Sequence, residues 1–193
     1  MDFKAYHAAL KNREPRPFFL EALSYLHDAD AVKTALDLGF GDGAETRYLL
    51  AKGWQVTAID REASAVKRLW AGLEPEWRSR FKPIVSSFEK ASYAEYDFIY
   101  AGLSLPYVAK ADFEALWSRL SQAVKPKGTI AAHFFGQRNE LNHDFMTIHR
   151  EAELKRLFQD FDLLVFRELE EVAESALGQK RHWHYFEVIA SKP

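Results

Sequence analysis

Asp37, Gly39, Gly41 and Gly43, an acid and three glycines at alternate positions, are the residues whose types and spacing most directly suggest chemistry. A short apolar run that reads as a strand ends at Asp37, the three glycines follow it, and a segment from Ala44 opens a helix. Glycine adopts backbone conformations closed to other residues, so such a loop can turn tightly and approach a ligand closely. A second acid, Asp60, ends the next apolar run 21 residues after Gly39. A carboxylate at that place can accept hydrogen bonds from both hydroxyls of a ribose. The stretch therefore predicts a strand, loop, helix and strand that hold a nucleoside. Gly39, Gly41 and Ala44 also satisfy the dinucleotide pattern GxGxx(G/A), so the glycines alone leave two cofactor classes open.

The surroundings of the loop separate the two. Asp37 ahead of the first glycine and the third glycine at 43 resemble the class I S-adenosylmethionine (SAM) dependent methyltransferases. The resemblance runs in the family's order from about Ala35 to Phe135. Tyr96-Asp97-Phe98-Ile99-Tyr100-Ala101 is similar to the family's fourth strand, and Val124-Lys125-Pro126-Lys127-Gly128-Thr129 to the turn before its fifth. Ser86-Ser87-Phe88-Glu89 stands where family members usually recognise adenine, with Ser87 in a place where many relatives carry Asp. The resemblance implies SAM as cofactor, held by Asp37, Gly39, Gly41, Gly43, Asp60, Arg61, Ser87, Phe88 and Ala101. It also implies an α/β, Rossmann-like, doubly wound sheet of about seven strands, mostly parallel with an antiparallel C-terminal hairpin and helices on both faces. Among small members, the compact domain is similar to the tellurite-resistance and thiopurine methyltransferase group.

Ligands in open α/β sheets sit beyond the carboxyl ends of the strands. The methyl acceptor is therefore expected against the loops from Gly102 to Tyr107 and from His133 to Arg138, with Leu105, Tyr107, Phe135 and Arg138 as substrate-binding candidates. His133 is the candidate for handling a proton, because histidine changes charge near physiological pH, although a histidine in an apolar strand also reads as core. Arg13 and Arg16 flank Pro15 in an N-terminal helical segment, residues 1–30, that can serve as a lid. Arg16 is the better candidate there for pairing with a carboxylate, on SAM or on the acceptor. His182 and His184 share one face of a strand, as metal ligands would, but no cysteine or clustered acid lies near them in sequence, and no metal is expected. Trp183 and Tyr185 take the opposite face, where they line a pocket or simply pack. No acceptor motif is recognisable, and no Asn-Pro-Pro-Tyr stretch follows the fourth strand. That leaves a small-molecule acceptor as the leading reading, a SAM-binding sensor without turnover as the alternative, and an NAD(P)-dependent oxidoreductase as a weaker one.

Elements able to position these groups alternate from Lys33 onward in the manner of a parallel sheet covered on both sides. Pro17 opens a helix with Phe19, Ala22, Leu23 and Leu26 on one stripe. Val66, Leu69, Trp70 and Leu73 form a second stripe, and Phe113, Leu116, Trp117, Leu120 and Val124 a third, all expected in the core. Thr129 to Phe135 reads as a strand, Ala152 to Phe161 as a further helix, and Asp162 to Leu169 with His182 to Ala190 as two strands joined by EEVAESALGQKR. The 193 residues suit one domain, 1–193, with its core from residue 31. Acids and bases nearly balance, 28 against 26, which argues against a partner as polyanionic as long RNA or DNA. There is no cysteine, no leader-like apolar segment and no run long enough to span a membrane, so a soluble cytoplasmic protein is expected.

Overall fold

The computed structural model describes residues 13–26, 33–141, 143, 145–175 and 178–193. Of the expected N-terminal lid, residues 1–12 and 27–30 lie outside the described residues. The chain runs α1 (Pro17–Ser24), β1 (Thr34–Leu38), α2 (Ala44–Ala51), β2 (Gln55–Asp60), α3 (Ala63–Ala71), β3 (Phe81–Val85) and β4 (Tyr96–Ala101). It continues through α4 (Lys110–Ala123), β5 (Val124–Gly136), β6 (Ile148–His149), α5 (Glu151–Leu157), β7 (Asp162–Glu174) and β8 (Lys180–Ser191).

These strands form one sheet in the order β3-β2-β1-β4-β5-β8-β7, with β6 paired beside β5. Pairing is parallel from β3 to β5, while β8 is antiparallel to both β5 and β7. The chain moves outward from β1 to β3 and then returns to β4 on the other side of β1. The order therefore reverses between β1 and β4, and a crevice opens beyond the carboxyl ends of those two strands.

Period-two alternation assigns each strand residue to one of two cores. Leu36, Leu38, Ile99 and Ala101 pack with Phe113, Leu116, Trp117 and Leu120 of α4 and with Leu154 of α5. Ala35, Phe98 and Tyr100 face the other way, onto Phe18, Phe19 and Ala22 of α1, Leu49 and Leu50 of α2, and Leu69 of α3. Helices thus cover both faces, as the doubly wound expectation requires.

Among the described residues the sheet has eight strands, in line with the expected count, the two-residue β6 adding beside Phe135 and Gly136. Two expectations need correction. The hairpin is longer than expected: EEVAE belongs to β7, where cross-strand pairs run from Glu170↔His184 to Glu174↔Lys180, and acids facing basic residues extend the ladder. Trp70 is 40% exposed and is not core. Its ring lies over the sheet edge near Phe81 and under the Arg78 guanidinium, 5.8 Å from the ring centroid.

Candidate active site

The glycine loop sits in the crevice between β1 and β4. Gly39, Gly41 and Gly43 have φ of 74°, 56° and 78°, the left-handed region that favours glycine. At Gly39 the requirement is also steric, since a Cβ there would stand 2.5 Å from the Cβ of Ser104 and 3.4 Å from the Phe88 ring. Ser104 holds that position by donating its hydroxyl to the Leu38 carbonyl at 2.6 Å. Gly43 has a different task. It starts α2 and packs on Leu69, outside the cavity lining.

A cavity of about 370 Å³ opens over this loop. Asp37, Gly39, Gly41, Asp60, Arg61, Ser87, Phe88 and Arg16 of the expected cofactor set all line it. Asp60 closes the end of β2, and its carboxylate accepts the backbone N–H of Gly41 at 3.2 Å and of Glu62 at 2.9 Å. Loop and acid are therefore fixed to each other before any ligand arrives. Ala101, like Gly43, does not line the cavity. It is fully buried on the α4 face, and its neighbour Gly102 lines the cavity instead.

Sequence reasoning missed the acid that organises the entrance. Glu45, in the first turn of α2 and 2% exposed, receives the Arg13 guanidinium through both oxygens, at 2.6 and 2.5 Å. It also accepts the backbone N–H of Arg16 at 3.1 Å, while Arg13 reaches Asp42 at 3.2 Å. The segment ahead of α1 is thereby strapped onto the glycine loop. Burial alone would raise Glu45, but the forked contact with Arg13 holds it below the ordinary carboxylate range. Asp37 lacks such a partner. Burial, reinforced by the nearby charge of Glu45, pushes its carboxyl up to about 8, although Thr46 donates to it at 2.6 Å.

A second cavity, of about 770 Å³, adjoins the first at Arg16, Leu103, Tyr107 and Phe145. Leu103 makes the junction with a φ of 57°, rare for a branched aliphatic residue and characteristic of strained functional loops. Phe135 and His133 of β5 and Trp183, Tyr185 and Glu187 of β8 share one face of the sheet and line this space. Tyr107 and Phe135 are thus among the lining residues. Leu105 and Arg138 are not. Leu105 is fully buried in the α4 core. Arg138 turns to the other face, where it pairs with Glu168 at 2.9 Å and Glu170 at 2.7 Å. His182 and His184 project to that same face and contact Glu170 at 2.9 Å and Glu168 at 2.8 Å.

The first cavity suits a polar nucleoside. The Tyr100 hydroxyl borders it as a buried atom without a hydrogen-bond partner among the described residues, and the Gly39 cradle admits backbone but no side chain. The glycine loop, the acid that ends β2 and the reversal of strand order together form a nucleoside-type crevice at the edge of an α/β sheet. Residues 35–128 match the family described as methyltransferase domain.

Solved structures show the same fold. TehB from Haemophilus influenzae aligns with a TM-score of 0.76 at 17% identity over 93% of this chain, which spans 63% of that one. A SAM-dependent methyltransferase from Methanosarcina mazei aligns at 0.69 with 21% identity, covering 93% of this chain and 99% of that one. The 1,6-didemethyltoxoflavin-N1-methyltransferase of Burkholderia thailandensis, solved with that compound and S-adenosylhomocysteine, aligns at 0.66 with 22% identity, covering 91% and 78%. No curated protein matches the chain by sequence.

Proposed function

We propose that the protein methylates a small molecule seated in the second cavity, with SAM in the first. The observation that carries this reading is the junction at Arg16, Leu103, Tyr107 and Phe145, where the two spaces meet beyond the ends of β4 and β5. Displacement at a methyl carbon needs nucleophile, carbon and sulfur in line, and two abutting cavities align two ligands in that way. Orientation of this kind contributes about 7 to 11 kcal/mol to such reactions. The second cavity has the size of an ordinary small-molecule site, 300 to 1,000 Å³ in general. It is enclosed by aromatic side chains with no basic surplus, which suits a compact acceptor better than a nucleic-acid strand.

In this reading Asp60 receives the ribose hydroxyls, Ser87 and Phe88 flank the adenine, and Arg16 faces the carboxylate end of SAM or of the acceptor. Titration calorimetry is expected to show SAM binding and no NADH binding. NADH binding without SAM binding would return the loop to the oxidoreductases. The affinity for SAM should also depend on pH. Free Asp37 keeps its proton up to about 8, whereas a cationic ligand favours the carboxylate, so binding expels a proton. Apparent affinity is expected to rise between pH 6 and 8, by at most about tenfold per unit, and then level off. A flat profile measured across buffers would show that Asp37 does not meet the cationic end of the cofactor.

A further inference from the structure

We propose that His133, oriented by Glu187, takes the proton from a neutral aromatic acceptor, one bearing a ring hydroxyl or ring N–H, held in the second cavity. The proposal rests on the reading that this cavity takes the methyl acceptor. Antiparallel register sets His133 of β5 directly opposite Glu187 of β8, with Nε2 of the imidazole 3.4 Å from Oε1. Glu187 is itself held by Arg167, whose Nε donates to it at 3.0 Å. Against burial, which would raise it, His133 and Arg167 keep the Glu187 carboxyl below its ordinary range. An ionised Glu187 beside Nε2 assigns the proton to Nε2 and leaves the lone pair on Nδ1.

That Nδ1 is buried and has no hydrogen-bond partner among the described residues. Buried polar atoms are seldom left in this state, and an acceptor hydroxyl or ring N–H would complete it. The imidazole stands in its neutral, basic form near neutrality. Burial lowers its pKa, Arg16 from the segment before α1 lowers it further, and Glu187 from β8 and Glu45 from α2 oppose them only in part. Tyr185 beside it on β8 stays protonated, pushed up to about 12.

The cavity walls indicate which acceptor needs such a base. Phe18, Tyr107, Phe135, Trp183 and Tyr185 supply aromatic faces and edges, which favour a flat aromatic ligand. Arg16 and Arg181 are outnumbered by Glu171, Glu174 and Glu187, so the lining has no cationic excess for an oxyanion or thiolate. An inorganic oxyanion would also fill little of about 770 Å³. A neutral acceptor must lose a proton during methylation. Its oxygen or nitrogen lone pair forms the new bond to the methyl carbon as the carbon–sulfur bond breaks, with that electron pair remaining on sulfur. The O–H or N–H proton moves to Nδ1 of His133, Glu187 balances the imidazolium, and the proton then passes to solvent.

The test uses 2-naphthol and benzimidazole as protic probes, against thiophenol and tellurite. In imidazole ¹⁵N spectra of the protein with S-adenosylhomocysteine added, Nδ1 of His133 is expected to shift when a protic probe binds. His133→Gln should leave SAM affinity by calorimetry unchanged and lower kcat for the protic probes at least about 100-fold. Glu187→Gln should lower kcat and move the acidic limb of the pH profile to lower pH, since its charge raises the imidazole pKa. The proposal is overturned if no protic probe perturbs Nδ1, if His133→Gln retains full turnover, or if only thiophenol or tellurite is methylated. Failure of the wild-type protein to bind SAM would instead strike the function proposed above.

Discussion

Asp60→Ala is expected to weaken SAM binding by about 10- to 150-fold, the equivalent of about 1.5 to 3 kcal/mol for hydrogen bonds to a charged group. The carboxylate has two tasks. It accepts N–H bonds from Gly41 and Glu62, and its oxygens retain further lone pairs for the proposed ribose hydroxyls. Alanine removes both, so the ribose loses its acceptors and the glycine loop loses its tether. Asp60→Asn keeps one oxygen acceptor, and its affinity is expected to fall between the two. Calorimetry on the three proteins checks this, and equal affinities would remove Asp60 from the ribose. Melting temperatures measured alongside separate the tasks, because loss of the tether acts on the free protein and loss of the ribose contact does not.

The glycine-loop side of the site was legible because it depends on backbone. Alternating glycines and an acid at a strand end are local features, and both appear in one stretch of chain. The acceptor side depends on which face of a strand each residue takes and on what lies across the sheet. Phe135 and Arg138 differ by an odd number of positions, and the chain turns after β5, so only Phe135 reaches the cavity. Arg138 is drawn instead to Glu168 and Glu170, acids whose neighbourhood depends on the β7 register. Ala101 and Leu105 read as site residues from their place after β4, but both point into the α4 core.

Glu187 carried a signal that could have been used. It shares period-two phase with Trp183 and Tyr185 and is an acid within the otherwise apolar FEVIA. Pairing it with His133 required the β5–β8 register, which no single-sequence pattern supplies. Glu45 was hidden differently. An acid in the first turn of a helix is ordinary there, since it complements the helix dipole. Its role emerges only when Arg13, 32 residues earlier, folds back to it.

That strap leads to an asymmetric pair of stability effects. Arg13→Ala is expected to destabilise the protein by about 3 to 5 kcal/mol, the range for leaving one member of a buried ion pair uncompensated. Glu45, 2% exposed in the wild-type protein, would lose its cationic partner beside Asp37, with the Arg16 N–H as its surviving donor. Glu45→Ala should cost less. The Arg13 side chain is already 21% exposed and has Asp42 at 3.2 Å, so its charge keeps both water and a partner. The pH dependence follows from the same geometry. In the wild-type protein Glu45 is held below its ordinary range, so its contribution is present at neutral pH and is lost as pH falls through the folded value. Without Arg13 that value rises above the unfolded one, and stability declines as pH rises between them. The gap between wild type and Arg13→Ala should therefore widen from pH 5 to pH 8 in urea unfolding. A constant gap, or equal losses in the two variants, would mean that the strap is held by the packing of Phe18 and Phe19 and not by the Arg13–Glu45 pair.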